Sequence, residues 1–291
     1  MPSILFSRAP RFIERTGPSL LSLPAVVFVG LLFLAPVVHL MFTSVVDDSS
    51  GQIRLSFELY RDFLGDRFGW QLLARTFIIS LATVLVSLLL AFPVALHMRS
   101  MAPRMRTLVA IVLLSPLLTS VVVRTLAWVV LLGPKGLLND ALVSAGLQPI
   151  TLMYNDVGVV IGLVHVYFGY MLLSLMVSLL KLDDRLLLAA SNLGANRWQV
   201  LRHVVLPLAR PGIATGSILV FTMSASAYVT PALLGGSRSK VMATEIYDQA
   251  IQYLEWREAA MLACILFAGV WATVALIARL EQRSRSQGGG A

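Results

Sequence analysis

Six long apolar runs, near residues 21–45, 72–97, 107–132, 157–180, 212–234 and 258–280, alternate along the 291-residue chain with shorter stretches that carry nearly all of its charge. Each run exceeds the roughly 18 residues that make a spanning-helix candidate. Helices buried inside a large soluble protein would need a polar face, and these runs have none. The pattern therefore predicts an all-α integral membrane protein of about six spans, forming one membrane domain over residues 21–281. A short segment, 1–20, precedes it. A tail over 282–291, whose last residues read SRSQGGGA, is expected to be disordered. No internal repeat or flexible linker divides the domain. Between the first two runs, residues 48–71 place Phe57, Tyr60, Phe63, Leu64 and Trp70 among charges. That spacing suits an amphipathic helix lying on a membrane surface, and it reads as an anchor before it reads as a solute contact.

Composition strengthens this reading. Hydrophobic residues make up 57% of the chain, charged residues 13%, and the mean hydropathy is +0.81; a soluble domain carries about 25% charged residues. The net charge of +8 and pI near 10.1 raise the question of nucleic acid. The bases follow the loops and form no aromatic-studded patch, so no nucleic-acid partner is expected. The positive-inside rule accounts for them. With the N-terminus inside, the cytoplasmic segments hold 14 Lys and Arg against four Asp and Glu, and the outer loops hold seven against 11. An even number of spans then places both termini in the cytoplasm. Arg8, Arg11 and Arg15 precede the first run as in a signal peptide. The run from about Leu20 to Val46 is longer than the 7–15-residue core of such a peptide, so it reads as an uncleaved first span.

Little in the chain offers chemistry. Its single cysteine, Cys264, lies in an apolar run and cannot form an intrachain disulfide or, without neighbours, a metal site. His39, His97, His165 and His203 are scattered without metal-ligand spacing. No catalytic constellation and no cofactor site are expected.

The most informative segment is the cytoplasmic loop over 181–211, which with the next residue reads KLDDRLLLAASNLGANRWQVLRHVVLPLARPG. Loops this long are usually functional or structured. Asp183 or Asp184 can cap a helix, and Leu186, Ala190 and Leu193 recur at helical spacing. Gly194 stands where a left-handed terminating residue is needed. Asn196 can cap a second short helix, with Trp198, Leu201 and Val205 near one face. Pro207 is expected to break that helix, and Pro211 to open the next span. Such a hairpin can dock rigidly into a groove on a partner, or rest on lipid headgroups.

The stretch LAASNLGANRWQVLRHVVLPLARPGI closely resembles the EAA loop of the permeases of binding-protein-dependent importers. By position, Leu188, Ala189 and Ala190 correspond to the EAA triplet, with Leu in place of the family's Glu. Gly194 is the glycine, followed by Ala195, and Leu206-Pro207 is the downstream Leu-Pro. The stretches at 121–139, 153–175 and 227–236 are similar to permeases of spermidine/putrescine-type importers. The resemblance implies the type I ABC importer fold, in the inner (plasma) membrane of a bacterium. It also implies a second permease, identical or a sister, cytoplasmic ATPase subunits that bind the ATP, and a soluble or periplasmic solute-binding protein. In agreement, the chain has no G-x-x-x-x-G-K-[ST] loop: GPKG at 133–136 lacks the spacing.

Ionisable and polar residues at membrane depth are functional candidates. Arg124 either lines the solute pathway or snorkels to the outer surface. His165 and Tyr167, with Tyr170 a turn deeper, suit hydrogen-bonded packing or ligand contact. The fifth span holds Thr222, Ser224, Ser226, Tyr228, Thr230 and Pro231, which suit a kinked helix lining a pathway. Trp128, Tyr167 and Tyr228 could offer ring faces to a cation. Pathway candidates are therefore Arg124, Trp128, His165, Tyr167, Tyr228 and Thr230. A polyamine-like cation is the leading solute; Arg124 alone at depth would instead favour an anionic or zwitterionic one. A self-sufficient secondary transporter is the competing class, but it should show inverted repeats and intramembrane carboxylates, and neither is visible.

Overall fold

Hydrocarbon cannot hydrogen-bond a peptide group, so each spanning segment must close its own backbone bonds, which a helix does. The computed structural model describes residues 18–47 and 54–288. Arg8, Arg11 and Arg15, the rest of segment 1–17, and the final residues 289–291 lie outside them. Six helical segments are long and apolar enough to cross a membrane, and the third of them, Val121–Ser144, lies further along the chain than the expected 107–132. Helix α1 is Pro18–Val45, followed by a two-residue strand pair, β1 Val46–Asp47 with β2 Arg54–Leu55. The expected surface helix is α2, Glu58–Gly65. Helix α3, Arg67–Arg99, is capped by Asp66, whose carboxylate accepts from the N–H groups of Phe68 and Gly69 at 3.0 Å.

The expected third span is not one helix. It divides into α4, Pro103–Leu114, a tight turn at Ser115–Leu118, and α5, Val121–Leu132. Pro116 has no N–H to continue the ladder. The hydroxyl of Ser115 donates instead to the carbonyl of Val112 at 2.9 Å, and that of Thr119 to Pro116 at 2.7 Å. Helix α6, Leu137–Ser144, leads to α7, Asp156–Leu179. The hairpin is α8, Asp184–Asn192, and α9, Arg197–Val200. Then come α10, Leu206–Ala225, α11, Met242–Tyr247, and α12, Trp256–Gly288. The last helix thus runs on through most of the segment read as a tail.

Two expectations about proline change. Pro207 does not end the helix begun by α9: a wide turn at Leu201–Val205 joins α9 to α10, so Arg197–Ala225 is one helical rod. The widened turn accommodates a residue that lacks a donor and whose ring crowds the preceding carbonyls. Conversely, the fifth span ends at Ala225, before Pro231. A straight helix would press the Pro231 ring on the Ala227 carbonyl. The chain leaves helical geometry at Ser226–Tyr228 and resumes with Pro231 in its first turns, in a second wide turn, Pro231–Gly235.

Helices α3, α7 and α10 pack on one another and form the centre. Lipid tails are as apolar as leucine, so close van der Waals contact and not hydrophobicity drives this. Small residues supply it: a Cβ at Gly212 would lie 2.5 Å from the Ser178 hydroxyl, and one at Gly216 2.7 Å from the Met171 sulfur. Helix α2 is held by Phe63, buried against Leu72, Met261 and Leu262, while Phe57 and Leu64 stay exposed. Helix α1 packs on α12. Near its end Ser44 accepts a hydrogen bond from Tyr60 at 2.8 Å and lies 3.8 Å from Cys264, which therefore faces a helix.

Candidate functional site

The hairpin is built by local rules. The Asp183 carboxylate accepts from the Arg185 N–H at 2.9 Å and caps α8. Its neighbour Asp184 does something else: it pairs with Arg99. The Arg99 guanidinium also donates to the carbonyls of Leu179 and Leu182, both at 3.1 Å. One side chain thus ties the end of α3 to the end of α7 and the start of α8. Along the chain Arg99 is one more basic residue just past the second apolar run, and nothing local could reveal a partner 85 residues away.

At the far end of α8, Gly194 has φ +82°. Its N–H donates to Ser191 and that of Ala195 to Ala190, at 3.0 and 3.1 Å. This is the paired-bond helix termination that needs a left-handed residue. No atom would lie within 4 Å of an added Cβ at Gly194, so the requirement is one of backbone conformation alone. Asn196 and Gln199 then cap α9 reciprocally, each side chain taking the other's backbone N–H at 2.8 Å. No residue of α8 or α9 is buried. Leu188 and Trp198 are exposed and Leu193 is 89% exposed. A groove of about 410 Å³ between the two helices is lined by Ala190, Leu193, Gly194, Ala195, Gln199 and His203 among others. The hairpin is thus an exposed apolar ridge held rigid by three caps, the kind of surface that meets a protein partner or a membrane. Pro207 lies beyond the groove, where the rod enters α10.

The membrane-depth candidates separate into three places. Arg124 is only 9% exposed and reaches neither surface nor cavity. Its guanidinium donates to the Thr119 carbonyl at 3.2 Å and to Val166 at 3.3 Å. It satisfies the carbonyl left open where the third span breaks and holds the break against α7. Beside it, Thr125 and Thr230 meet through their hydroxyls. In the second place, Trp128 and His165 stand edge to face, centroids 5.5 Å apart, in the wall of an apolar cavity. Tyr167 is buried and donates to the Met223 carbonyl at 3.0 Å, joining α7 to α10. In the third place, Tyr228 stacks on Tyr247 with centroids 4.3 Å apart. Next to Tyr247 in the chain, Asp248 joins Glu245 in holding the Lys240 ammonium, at 2.8 and 3.0 Å. Burial alone would lower the Lys240 pKa; the hydrogen bonds to Asp248 and Glu245 outweigh it and hold the ammonium above the ordinary lysine value. On one face of α10 and at its end, Thr215, Thr222 and Ser226 are exposed, with the exposed Leu219 between the first two, and this face leads toward the pair. Tyr247 and Thr125 were not singled out from the sequence, because only their tertiary partners distinguish them.

A bundle of spanning helices with an exposed, rigidly capped hairpin at one end defines a multi-pass membrane protein. Residues 105–286 match the model of the binding-protein-dependent transport system inner membrane component family, and the chain belongs to that family. It is 30% identical over 239 residues to the spermidine/putrescine transport system permease protein PotB of Haemophilus influenzae, covering 80% of this chain and 83% of that one. A bacterial ABC transporter that imports the acidic polysaccharide alginate has the same fold, with a TM-score of 0.77 at 18% identity over 93% of this chain and 97% of its own. A bacterial alginate ABC transporter in complex with an alginate pentasaccharide-bound periplasmic protein gives 0.76 at 17% identity, over 91% of this chain and 93% of its own. The protein is a permease subunit of an ABC importer, and such subunits are non-catalytic.

Proposed function

We propose that the chain forms half of a solute pathway for a polyamine or related small organic amine, and that its hairpin receives force from a separate ATPase. The observation that carries the solute reading is the exposed face with Thr215, Thr222 and Ser226, and the stacked Tyr228 and Tyr247 at its end. The Thr215 and Ser226 hydroxyls donate to the Pro211 and Thr222 carbonyls one turn back, at 2.8 and 2.9 Å, and keep lone pairs that can accept from a solute. Ring faces attract an alkylammonium group, and Asp248 and Glu245 add two carboxylates against the one ammonium of Lys240. The 30% identity to a permease named for spermidine and putrescine points the same way. An anionic solute had rested on Arg124, whose two terminal nitrogens donate to backbone carbonyls while its Nε stays buried without a partner.

In this reading the exposed face of α10 looks onto a second permease, identical or a sister, across the pathway. The hairpin lies in the cytoplasm, as do both termini, and the opposite end receives a periplasmic solute-binding protein. ATPase closure moves the hairpin, and the Arg197–Ala225 rod, roughly 43 Å long at 1.5 Å per residue, carries that movement to Ser226–Tyr228. The test is uptake of radiolabelled spermidine, putrescine and 2-aminoethylphosphonate by the reconstituted complex, with Tyr228→Ala and Tyr247→Ala. Saturable amine uptake that both variants weaken supports the reading; phosphonate uptake, or amine uptake indifferent to both, refutes it.

A further inference from the structure

A cavity of about 760 Å³ opens between α3, α4, the Ser115–Leu118 turn and α7, with no residue of α10 in its wall. It lies apart from the face of α10 that carries Thr215, Thr222 and Ser226, and its chemistry is opposite. Ile78, Ala82, Val86 and Leu90 line one side of it and Val157 and Ile161 the other. Apart from the edge-on pair Trp128 and His165, its only polar lining residue is Asp156, at the first turn of α7. A hydrated ammonium ion would lose its water here without replacement, so the cavity does not suit the solute.

Its dimensions suit a lipid chain. Counting 1.5 Å per residue down α3 from Arg75, Ile78 lies roughly 5 Å and Leu90 roughly 22 Å deeper. One leaflet contributes roughly 15 Å of hydrocarbon, half of the bilayer core. Arg75 and Asp156 stand where the headgroup would be. The Arg75 Nε and Asp156 Oδ1 are 3.8 Å apart, and both side chains are about half exposed. Arg75 Nη1 also donates to the Arg238 carbonyl at 2.9 Å, which fixes the guanidinium beside Asp156; a half-exposed pair of opposite charges so placed is complementary to a headgroup that carries both signs. Arg75 would face the phosphate, while Asp156 would accept N–H bonds from a primary ammonium.

We propose that this groove is a specific site for one phosphatidylethanolamine-type phospholipid of the leaflet opposite the hairpin, its acyl chain between α3 and α7 and its headgroup between Arg75 and Asp156. With the orientation given under Proposed function this is the outer leaflet, but the site itself does not depend on which solute is carried. A quaternary choline headgroup has no N–H to give Asp156, so it should bind less well.

The experiment uses the assembled importer in nanodiscs containing dioleoyl phosphatidylethanolamine, dioleoyl phosphatidylcholine, or both. Native mass spectrometry counts the lipids retained on release. Wild type should retain one phosphatidylethanolamine per copy of this chain and prefer it over phosphatidylcholine by about tenfold, the loss expected for a charge-assisted hydrogen bond. Ala82→Phe, which fills the groove, should abolish retention. Asp156→Asn should keep a lipid but lose the preference, and it decides the matter if Ala82→Phe does not assemble. Equal retention by wild type and Ala82→Phe, or an unchanged preference in Asp156→Asn, overturns the proposal. So does a crosslink from Val86→Cys to the second permease, in a background with Cys264 replaced, because a helix would then occupy the groove.

Discussion

Thr125 and Thr230, 105 residues apart, bring their hydroxyl oxygens to 3.1 Å in a buried contact between α5 and the wide turn that follows α10. Thr125 already donates to the Val121 carbonyl at 2.8 Å. A hydroxyl has one proton, so Thr230 is the donor in this pair. The contact closes the broken third span onto the broken fifth. Interhelical hydrogen bonds in membranes average about 0.6 kcal/mol. A double-mutant cycle of Thr125→Val and Thr230→Val, read by unfolding in mixed detergent, should give a coupling of about that size. Additive effects of the two changes would remove the contact from the account.

Gly194→Val forces a β-branched residue to φ +82°, at a cost of about 1–2 kcal/mol. Because nothing crowds the position, the bundle should still insert and fold. Uptake, and the stimulation of ATP hydrolysis by loaded binding protein, should be lost. Gly194→Asn, which tolerates left-handed geometry better, should retain part of both. Normal stimulation in the valine variant would mean that the hairpin does not couple. Leu188→Glu, at an exposed position, should be tolerated.

Arg124→Gln removes the donors on Thr119 and Val166. Val166 keeps its bond within α7, but the Thr119 carbonyl at the break is left open, which costs about 1–3 kcal/mol, so the variant should melt earlier. Amine uptake per assembled complex should survive. Uptake abolished in complexes that assemble and melt normally would instead place Arg124 at the solute.

Lys240 provides a pH signature. Its pKa is raised on folding, so the stabilisation it brings is complete below the ordinary lysine pKa and is lost as pH rises through the higher folded value. Melting temperature should therefore show no Lys240-dependent change between about pH 6 and pH 9, followed by a decline above about pH 10.5. Lys240→Met leaves Glu245, 7% exposed, beside Asp248 without a counter-charge. It should cost about 3 kcal/mol at neutral pH and abolish that alkaline decline. A decline of the same size in Lys240→Met would assign it to other groups.

Orientation can be read by thiol labelling once Cys264 is replaced. Arg238 and Arg197 are both exposed, at opposite ends of the bundle. Arg238→Cys should react with an impermeant reagent in intact cells, and Arg197→Cys only after the membrane is opened. The reverse pattern would invert the topology.

The length and number of the apolar runs, the surface helix at Glu58–Gly65 and the hairpin with its Asp183, Gly194 and Asn196 signals were legible along the chain. Each follows from a rule that acts over a few residues: run length against bilayer thickness, a side chain that caps the helix beginning beside it, a backbone angle that favours glycine. The breaks were less legible. Proline marks that a helix is disturbed, but whether it widens the turn, as before Pro207, or parts the chain, as at Ser115–Ser120, depends on which neighbours take up the open carbonyls.

The division of labour among the polar residues came from tertiary packing. In a soluble helix the polar face sets which side turns inward, but a span is apolar all round and its rotation is left undefined by periodicity. The close approach of Gly212 and Gly216 to α7 sets that rotation for α10. It turns Thr222 and Ser226 outward. The same packing aims Arg124 at Thr119 and Val166 and puts Trp128 and His165 in the wall of the apolar cavity. Residue types can be read from a chain one position at a time. Which of them are buried as clamps, line a cavity or stay exposed follows from the helix rotations, and those are set by contacts between residues far apart in the chain.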